Sequence, residues 1–496
     1  MGQHPTITLE MQSAEIEQDI SIKNALARIP IDDAELPYQR PAREQLIKLR
    51  KAAVIAPMGA GKTRIICTAL LEHGLINYEL LQKYPILVIG SGASLPAWYK
   101  QIPQWTGYTE SKIHVVSGSG LAREQVWRRL LRLQDGGVFI INYSVFLRDR
   151  KILEMIPWSC VIADEYHKTM RSKETKTYAA FKRITYEVPY LFMVSGTPAR
   201  KHPGSMWTMF NIIAPKVFTS YWRFVNTYCV TVTTQFGVEI IGPKNVQGLH
   251  KIMCEFTAYI PKEVVASYLP KGRRDIITIE MTDYQAKVYK KLCKEMICEL
   301  DNKQLIVTPT ILARIVKFRQ LLCCPKTVDP TTKDIGGALE YILDTFDDDD
   351  HIVIFVPFRD AVTCIQQDLV AAGHKNVFAL MGGISVAEAN EQRQLFRETK
   401  GIMLCTVQYA ESFDLETCKT SWFNGYDYSL DVNEQAEGRT QRAISKSSTV
   451  FWHYLQYQDT VDMDFLAALH HDYRNMKRIY ERPQALIEAM KRGMSI

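Results

Sequence analysis

Short, continuously apolar segments recur along most of the chain, separated by stretches with a helical pattern. Before residue 200 the apolar segments lie at 52–56, 86–90, 138–141, 160–163 and 191–195, with helical patterns at 63–73 and 121–133 between them. Apolar residues at every position, rather than at alternate ones, are typical of strands buried on both faces of a parallel sheet. The alternation of such strands with helices predicts a layered α/β fold.

The same alternation returns in the second half of the chain, at 352–355, 376–380, 401–406, 420–423 and 449–455. Residues 215–335 are mostly helical in pattern, as at 283–300 and 310–322, with one strand pattern at 275–280. A chain of 496 residues is also too long for one ordinary domain of ~100–200 residues. We predict an N-terminal extension (1–32), a first α/β lobe (33–214), a largely helical section (215–335), a second α/β lobe (336–465) and a helical tail (466–496).

The composition is that of an ordinary globular protein. It has 47% hydrophobic and 23% charged residues, a balance that excludes disorder. The longest apolar stretch, 137–147, is shorter than the ~18–20 residues of a membrane span, so no membrane association is predicted. The N-terminus lacks the basic and apolar segments of a secretory signal, which predicts a cytoplasmic location. The 11 cysteines include no Cys-x-x-Cys pair, and no structural zinc site is expected.

A glycine-rich turn joins the first apolar segment to the first helical pattern. Its residues Gly59, Ala60 and Gly61 are followed by Lys62 and Thr63. Backbone N–H groups of such a turn wrap a triphosphate at the positive end of a helix, where the lysine reaches the β- and γ-phosphates and the threonine hydroxyl ligates Mg²⁺. The strict pattern has glycine at position 56, where this chain has alanine. A chance turn is the alternative, and the strand-turn-helix context favours a nucleotide site.

Two adjacent carboxylates, Asp164 and Glu165, follow the apolar segment 160–163. The carboxyl end of a buried parallel strand is the ligand-binding edge of an α/β sheet. The first carboxylate is suited to holding hydrated Mg²⁺, and the second to polarising the water that attacks the γ-phosphate. An Asp-Glu pair by itself is usually a solvated turn, so this prediction depends on Lys62 in the same lobe.

Two further segments carry candidate residues. Ser195 and Thr197 end another apolar strand, in the sequence Ser-Gly-Thr-Pro. In the second lobe, the sequence Gln-Ala-Glu-Gly-Arg-Thr-Gln-Arg at 435–442 contains Arg439 and Arg442. Their spacing of three predicts that both guanidinium groups lie on one helical face, from which arginines can neutralise charge on a transferred phosphoryl group. A strand-ending turn and a basic surface helix are the alternatives.

The four segments occur in the order of the motifs of superfamily-two helicases, and the chain resembles that superfamily. Finer features resemble the Swi/Snf-type branch of double-stranded DNA translocases. They are Leu-Pro-Tyr-Gln at 36–39, the Ser-Leu and Trp of 94–98, and Arg-Gln-Leu-Leu-Cys-Cys-Pro at 319–325. The resemblance covers residues 33–465 and implies two RecA-like lobes that bind ATP and Mg²⁺ between them. It implies movement along duplex or branched DNA, with a replication or recombination protein as a candidate partner and a monomeric chain.

The resemblance also implies a role for each motif residue. Gln39 would contact adenine, and Asp164 with Thr63 would hold the metal. Arg439 and Arg442 would reach the γ-phosphate when the lobes close. His167, Ser195 and Thr197 would couple the nucleotide state to the grip on DNA. The candidates for phosphate contacts with DNA are Lys100, Asn142, Lys168 and Arg171. Aromatic residues at near-helical spacing are expected in the core rather than stacked on bases: Trp207, Phe210, Phe218, Trp222 and Phe224.

The chain departs from the family pattern in the second lobe, where residues 409–415 lack the glycines that the family carries. At 164–167 the chain has Asp-Glu-Tyr-His, with tyrosine where the family more commonly has alanine. Because the predicted lobes fill nearly the whole sequence, we expect no chromatin-reading module, and such a compact chain suits a bacteriophage or other viral protein.

Three other functions share parts of these motifs. A conventional superfamily-two helicase acting on RNA or single strands would share the ATPase residues, and stimulation by duplex DNA would separate the two. A catalytically silent DNA-binding scaffold is disfavoured by the joint presence of Lys62, Asp164, Glu165 and both arginines. A translocating subunit of a larger complex would copurify with a partner.

Overall fold

The structure is a computed structural model that describes residues 35–75, 85–92, 94–133, 136–196, 202–235, 237–294, 297–299, 305–307, 311–345, 351–409, 415–427, 430–442, 448–460 and 462. The chain divides into two compact units at Val265/Ala266. The predicted N-terminal extension and helical tail lie outside the described residues.

The first unit contains a seven-stranded parallel sheet. Its strands are β1 (Lys51–Ile55), β2 (Pro85–Gly90), β3 (Ile113–Val115), β4 (Gly137–Asn142), β5 (Cys160–Asp164), β6 (Tyr190–Ser195) and β9 (Thr257–Tyr259). The order across the sheet is β3-β4-β2-β5-β6-β1-β9, and every neighbouring pair is parallel. Strand β6 therefore lies between β5 and β1, so their carboxyl ends meet at one edge of the sheet.

The helices of the first unit precede, connect or follow these strands. They are α1 (Gln39–Leu49), α2 (Lys62–Glu72), α3 (Leu95–Thr106), α4 (Gly120–Leu133), α5 (Tyr143–Leu153), α6 (Lys176–Ile184), α7 (Trp207–Ile213), α8 (Tyr221–Tyr228), α9 (Val246–Phe256) and α10 (Lys262–Ala266). An antiparallel hairpin, β7 (Cys229–Thr234) and β8 (Gly237–Pro243), follows α8. The central strands are buried along their whole length, which satisfies the expectation from their unbroken apolar sequence.

The second unit contains a six-stranded parallel sheet. Its strands are β10 (Lys271–Ile279), β13 (His351–Val356), β14 (Val377–Leu380), β15 (Gly401–Thr406), β16 (Thr420–Phe423) and β17 (Thr449–Tyr457). The order is β10-β17-β16-β13-β15-β14, again with every pair parallel. Successive residues of β13 alternate between two apolar clusters, with Val353 and Phe355 in one and Ile352 and Ile354 in the other. The sheet thus has a core on each face.

The second unit also has helices and one small hairpin. The helices are α11 (Asp283–Lys294), α12 (Ile311–Cys323), α13 (Gly337–Thr345), α14 (Arg359–Ala371), α15 (Val386–Glu398) and α16 (Leu430–Thr440), and the hairpin strands are β11 (Ile297–Glu299) and β12 (Leu305–Val307). No helix within the described ranges of either unit is both long enough and apolar enough to cross a bilayer.

The α/β fold class predicted from the apolar segments is confirmed, because each of those segments is a strand of one of the two parallel sheets. The section between the two predicted lobes contains more strand than its pattern indicates. It carries the β7–β8 hairpin and strand β9 at the edge of the first sheet. Strand β10, at the edge of the second sheet, corresponds to the strand pattern at 275–280. The helix predicted over 283–300 ends at Lys294, and its last residues form β11.

Candidate functional site

The glycine-rich turn follows β1 and leads directly into α2. Gly59 and Gly61 have φ angles of 78° and 74°, in the left-handed region that glycine enters without strain. Gly61 caps the N-terminus of α2. The turn therefore places backbone N–H groups at the positive end of the helix dipole, which is the arrangement that binds phosphate groups.

Two polar side chains hold this turn. The Lys62 ammonium donates to the carbonyl oxygens of Ala56 at 3.0 Å and Pro57 at 3.2 Å, so it lies over the turn. Gln39 is buried; its amide nitrogen donates to the Ala60 carbonyl at 2.9 Å, and its oxygen accepts from the Leu36 N–H at 3.1 Å. The segment at 36–39 is thus joined to the phosphate-binding turn. The adenine contact of Gln39 stays a prediction.

The predicted metal-binding carboxylate lies at the end of β5, two strands from the turn. Asp164 is only 8% exposed, and one of its carboxylate oxygens accepts the indole N–H of Trp98 at 3.0 Å. Burial and the neighbouring charge of Glu165 raise the pKa of Asp164, while Trp98, Lys62 and Ser94 act in the opposite direction. A buried carboxylate in this environment gains stability as an anion when a cation approaches it.

Glu165 and His167 continue from Asp164 in a tight turn. Glu165 has a φ of 49°, which is uncommon for a residue with a side chain and indicates a locally constrained backbone. His167 follows in a short 3₁₀ turn, where its Nδ1 lies 3.4 Å from a carboxylate oxygen of Glu165. The same Nδ1 lies 2.8 Å from the hydroxyl oxygen of Ser195, at the end of β6. The structure thus joins two of the predicted coupling residues by a buried hydrogen bond.

The register of the sheet explains this convergence. Ser195 lies beside Ile55 of β1, and Val194 lies beside Asp164 of β5. The backbone N–H of Ala56 also donates to the Ser195 carbonyl at 3.2 Å. Ser195 therefore lies between the phosphate-binding turn and the carboxylate pair. Thr197, the third predicted coupling residue, lies outside the described residues.

The predicted DNA-contact residues have different environments. Lys100 is exposed on α3, and Arg171 is exposed after the 3₁₀ turn, where Lys168 is half-buried. The Asn142 side chain accepts the Val145 N–H at 2.8 Å and so caps α5. The cap gives Asn142 a structural role whatever else it contacts. Of the five aromatic residues expected in the core, Trp222 is 49% exposed and four are buried: Trp207, Phe210, Phe218 and Phe224.

In the second unit, α16 ends at Thr440, so Arg439 lies in its last turn and Arg442 lies beyond it. The prediction that both arginines lie on one helical face is therefore wrong. The Thr440 hydroxyl accepts the indole N–H of Trp452 at 3.1 Å and donates to the Glu437 carbonyl at 3.1 Å. These contacts fix the end of the helix. The segment 410–414, which departs from the family pattern, lies outside the described residues.

Sequence reasoning predicted no contact with Asp164 for three residues that surround it. They are Trp98 and Ser94 on one side, and Tyr143, whose buried hydroxyl donates to the Asp164 carbonyl oxygen at 2.8 Å. The resemblance of segment 94–98 to the family pattern was the only sequence signal that singled out Trp98. Its contact with Asp164 becomes evident only in the folded structure.

The site fits a nucleoside triphosphate with Mg²⁺. Mg²⁺ is usually held by one or two carboxylates together with phosphate oxygens and water. Asp164 and the half-buried Thr63 supply this donor set next to the phosphate-binding turn. Among the described residues, no group of three or more His, Cys, Asp and Glu side chains forms a metal site by itself. A parallel sheet with this turn and this carboxylate pair defines a helicase-like ATPase.

Two family models match the chain, and together they cover most of it. The SNF2-related domain matches residues 51–327, and the helicase conserved C-terminal domain matches residues 337–444. The chain belongs to the SNF2-related family. This confirms the resemblance to Swi/Snf-type ATPases.

Several relatives share this similarity. The ISWI chromatin-remodeling complex ATPase ISW1 of Saccharomyces cerevisiae is 26% identical over 264 residues, which are 52% of this chain and 22% of that protein. The transcription regulatory protein SNF2 of the same yeast is 22% identical over 421 residues, 79% of this chain and 24% of that protein. The uncharacterized ATP-dependent helicase MG018 of Mycoplasma genitalium is 23% identical over 430 residues, which are 82% of this chain and 38% of that protein. The chain spans about a fifth to two fifths of the length of these relatives.

Among solved structures, the Sulfolobus solfataricus SWI2/SNF2 ATPase core in complex with dsDNA aligns with a TM-score of 0.42 and 19% sequence identity, over 90% of this chain and 93% of that chain. None of these similarities bears on the predicted viral origin, which stays a prediction.

Proposed function

We propose that the protein is an ATP-dependent translocase that couples ATP hydrolysis to movement along duplex or branched DNA. One observation carries the proposal. The phosphate-binding turn, the Asp164–Glu165 pair and the His167–Ser195 contact lie at the carboxyl ends of three adjacent strands of one sheet. The proposal assigns phosphate binding, metal binding and a link to a neighbouring motif to this edge.

Each residue of the edge has a chemical task in this proposal. Lys62 neutralises the β- and γ-phosphates, while Asp164 and Thr63 hold Mg²⁺. The metal, when bound, withdraws charge from the phosphate oxygens. Glu165 orients the attacking water and accepts its proton. The proposal also assigns a role to Arg439 and Arg442 of the second unit, which is to stabilise the charge of the transferred phosphoryl group.

We propose that the His167–Ser195 hydrogen bond couples the state of the bound nucleotide to the grip of the protein on DNA. His167 follows the carboxylate pair in sequence, and Ser195 leads into segment 196–200. A shift of Glu165 would reach Ser195 through two successive contacts, both made by Nδ1 of His167. Two discrete arrangements of these contacts would then give the two states of the translocation cycle.

Duplex DNA is the proposed substrate because the chain belongs to the SNF2-related family and carries the features of its double-stranded DNA branch. The yeast relatives are named as a chromatin-remodeling ATPase and a transcription regulatory protein. For this chain, we propose action on replication or recombination intermediates or displacement of bound proteins, as a cytoplasmic monomer with a replication or recombination partner.

Displacement of a third strand from a duplex measures translocation without strand separation. We expect the wild-type protein to release a triplex-forming oligonucleotide from a blunt duplex with ATP, and Glu165→Gln to release none. Unwinding of an RNA duplex without triplex displacement would favour the conventional helicase. The absence of both activities in a protein that hydrolyses ATP would contradict the proposal.

A further inference from the structure

Trp98 makes a polar contact that packing of its ring on the apolar face of α3 does not explain. Its side chain is 1% exposed on α3, and its Nε1–H donates to Oδ2 of Asp164 at 3.0 Å. A buried indole needs one acceptor for its N–H, and many backbone carbonyls serve that purpose. Trp158 of the same unit, for example, donates to the Leu153 carbonyl at 3.0 Å. Trp98 instead uses the carboxylate that the proposed function assigns to Mg²⁺.

The backbone around Trp98 is shaped for this approach. Gly90 ends β2, and a Cβ atom built there would lie 3.7 Å from the Cβ of Asp164 and would overlap the hydroxyl of Ser94. The glycine therefore leaves room for the turn that starts α3 to lie against β5. Tyr143 fixes the same residue from its backbone side, through the 2.8 Å bond to the Asp164 carbonyl. Asp164 is thus held at its carboxylate and at its peptide group.

We propose that Trp98 is a positioning residue for the metal-binding carboxylate of Asp164. The inference rests on the proposed function, because it presumes that Mg²⁺-nucleotide binds at this edge. A hydrogen bond to one carboxylate oxygen sets the rotation of the carboxylate group, and outer-shell donors of this kind are known to tune metal affinity. The neutral indole N–H orients the carboxylate without cancelling its charge.

The same unit contains a matched contact away from the site. Trp127 is also fully buried, and its Nε1–H donates to Oδ2 of Asp149 at 2.9 Å. Asp149 lies on α5 and also accepts two hydrogen bonds from Arg123, at 2.8 Å and 2.9 Å. The Trp127–Asp149 pair is therefore a structural contact with nearly the same geometry. Trp127→Phe is the control for Trp98→Phe, since each change removes one buried indole N–H from an aspartate carboxylate.

Equilibrium binding of ATPγS to the full chain tests the proposal, with each protein measured once in Mg²⁺ and once in EDTA. We expect Mg²⁺ to tighten binding by the wild-type protein and by Trp127→Phe to a similar extent. For Trp98→Phe we expect binding in EDTA to match the wild type and binding in Mg²⁺ to be about tenfold weaker, the lower end of outer-shell effects. Thermal unfolding of both variants shows whether they are folded at the assay temperature.

The outcomes separate this inference from the proposed function. Equal tightening by Mg²⁺ in Trp98→Phe and in the wild type would overturn the positioning role and leave the nucleotide site intact. Equal weakening of Trp98→Phe in Mg²⁺ and in EDTA would also overturn it, because a loss of packing weakens both. No binding of ATPγS by the wild-type protein under either condition would overturn the proposed function and this inference with it.

Discussion

The two units hold their buried motif carboxylates in different ways. In the first unit, Asp164 accepts the neutral N–H of Trp98, with the Ser94 hydroxyl beside it. In the second unit, Glu437, inside the segment at 435–442, accepts both the Nε–H and an Nη2–H of Arg274 and the hydroxyl of Tyr454 at 2.7 Å. The hydrogen-bond donors to the Asp164 carboxylate are thus neutral, with the charge of Lys62 nearby, whereas Glu437 accepts directly from a guanidinium.

The pKa of the cation in the second unit shows the same difference. Burial lowers the pKa of Arg274, but hydrogen bonding and the charge of Glu437 outweigh it and raise the pKa above its ordinary value. Glu437 therefore joins α16 to β10 and β17. We call this contact, which lies two residues before Arg439, the structural clamp. Removal of one partner of such a pair is costly, because it leaves a buried charge uncompensated. A carboxylate whose hydrogen-bond donors are neutral can still gain a metal as its counter-charge. The following predictions test this distinction.

Replacement of Arg439 by alanine should have the largest effect. If Arg439 stabilises the transferred phosphoryl group, Arg439→Ala should lower kcat by ~10³–10⁵. Steady-state ATP hydrolysis measures the loss. The control is Arg397→Ala on α15, which breaks a surface ion pair with Glu416 at 2.8 Å and should leave kcat unchanged. Wild-type hydrolysis by Arg439→Ala would show that this arginine is not the one that acts.

Glu165→Gln should abolish turnover and preserve binding. Removal of a general base usually costs ~10²–10⁴ in rate, and glutamine keeps the shape of the side chain at this constrained position. Single-turnover hydrolysis and ATPγS binding should therefore separate, with the first lost and the second retained. Loss of binding together with turnover would instead indicate that Glu165 maintains the site.

Glu437→Gln should reduce stability, because it removes the more deeply buried of the two carboxylates that face the partly buried Arg274. We expect the free energy of unfolding to fall by about 2–3 kcal/mol, less than for a fully buried pair. Glu434→Gln is the control. Glu434 lies 3.4 Å from the same guanidinium in a more exposed position, and its replacement should cost less than ~1 kcal/mol. Urea denaturation measures both. An equal fall in the free energy of unfolding for the two variants would contradict the structural role of Glu437.

Ser195→Ala should have the smallest effect on chemistry and act on coupling. It removes the hydroxyl that lies 2.8 Å from His167 while leaving β6 intact. We expect the stimulation of ATP hydrolysis by DNA to fall roughly three- to tenfold, consistent with ~0.5–1.5 kcal/mol for one hydrogen bond, and the rate without DNA to stay near wild type. An equal fall in both rates would assign Ser195 to catalysis instead.

The strands and the nucleotide site were predictable from sequence because both depend on local signals. Continuous apolar runs indicate doubly buried strands, and a glycine-rich turn between strand and helix is a short-range pattern. Lys62 contacts carbonyl groups that lie only five and six residues before it in the sequence. The contact of Gln39 with the turn requires only that α1 lies beside β1.

The features that were missed depend on distant parts of the chain. Strand β9 pairs with β1 across some 200 residues of sequence, and no local pattern names that partner. The Trp98–Asp164 contact requires the order of β2 and β5 in the sheet. Arg442 lies outside α16, which ends at Thr440 beside Trp452, and the spacing of the two arginines does not predict where the helix ends.

The most direct test of the central claim is the steady-state rate of ATP hydrolysis with no nucleic acid, duplex DNA, forked DNA, single-stranded DNA and RNA. A DNA translocase of the SNF2-related family should be stimulated several-fold by duplex or forked DNA, with less stimulation by single strands or RNA. The stimulated rate should disappear in Glu165→Gln. Stimulation by RNA or single-stranded DNA alone, with no response to duplex DNA, would contradict the account.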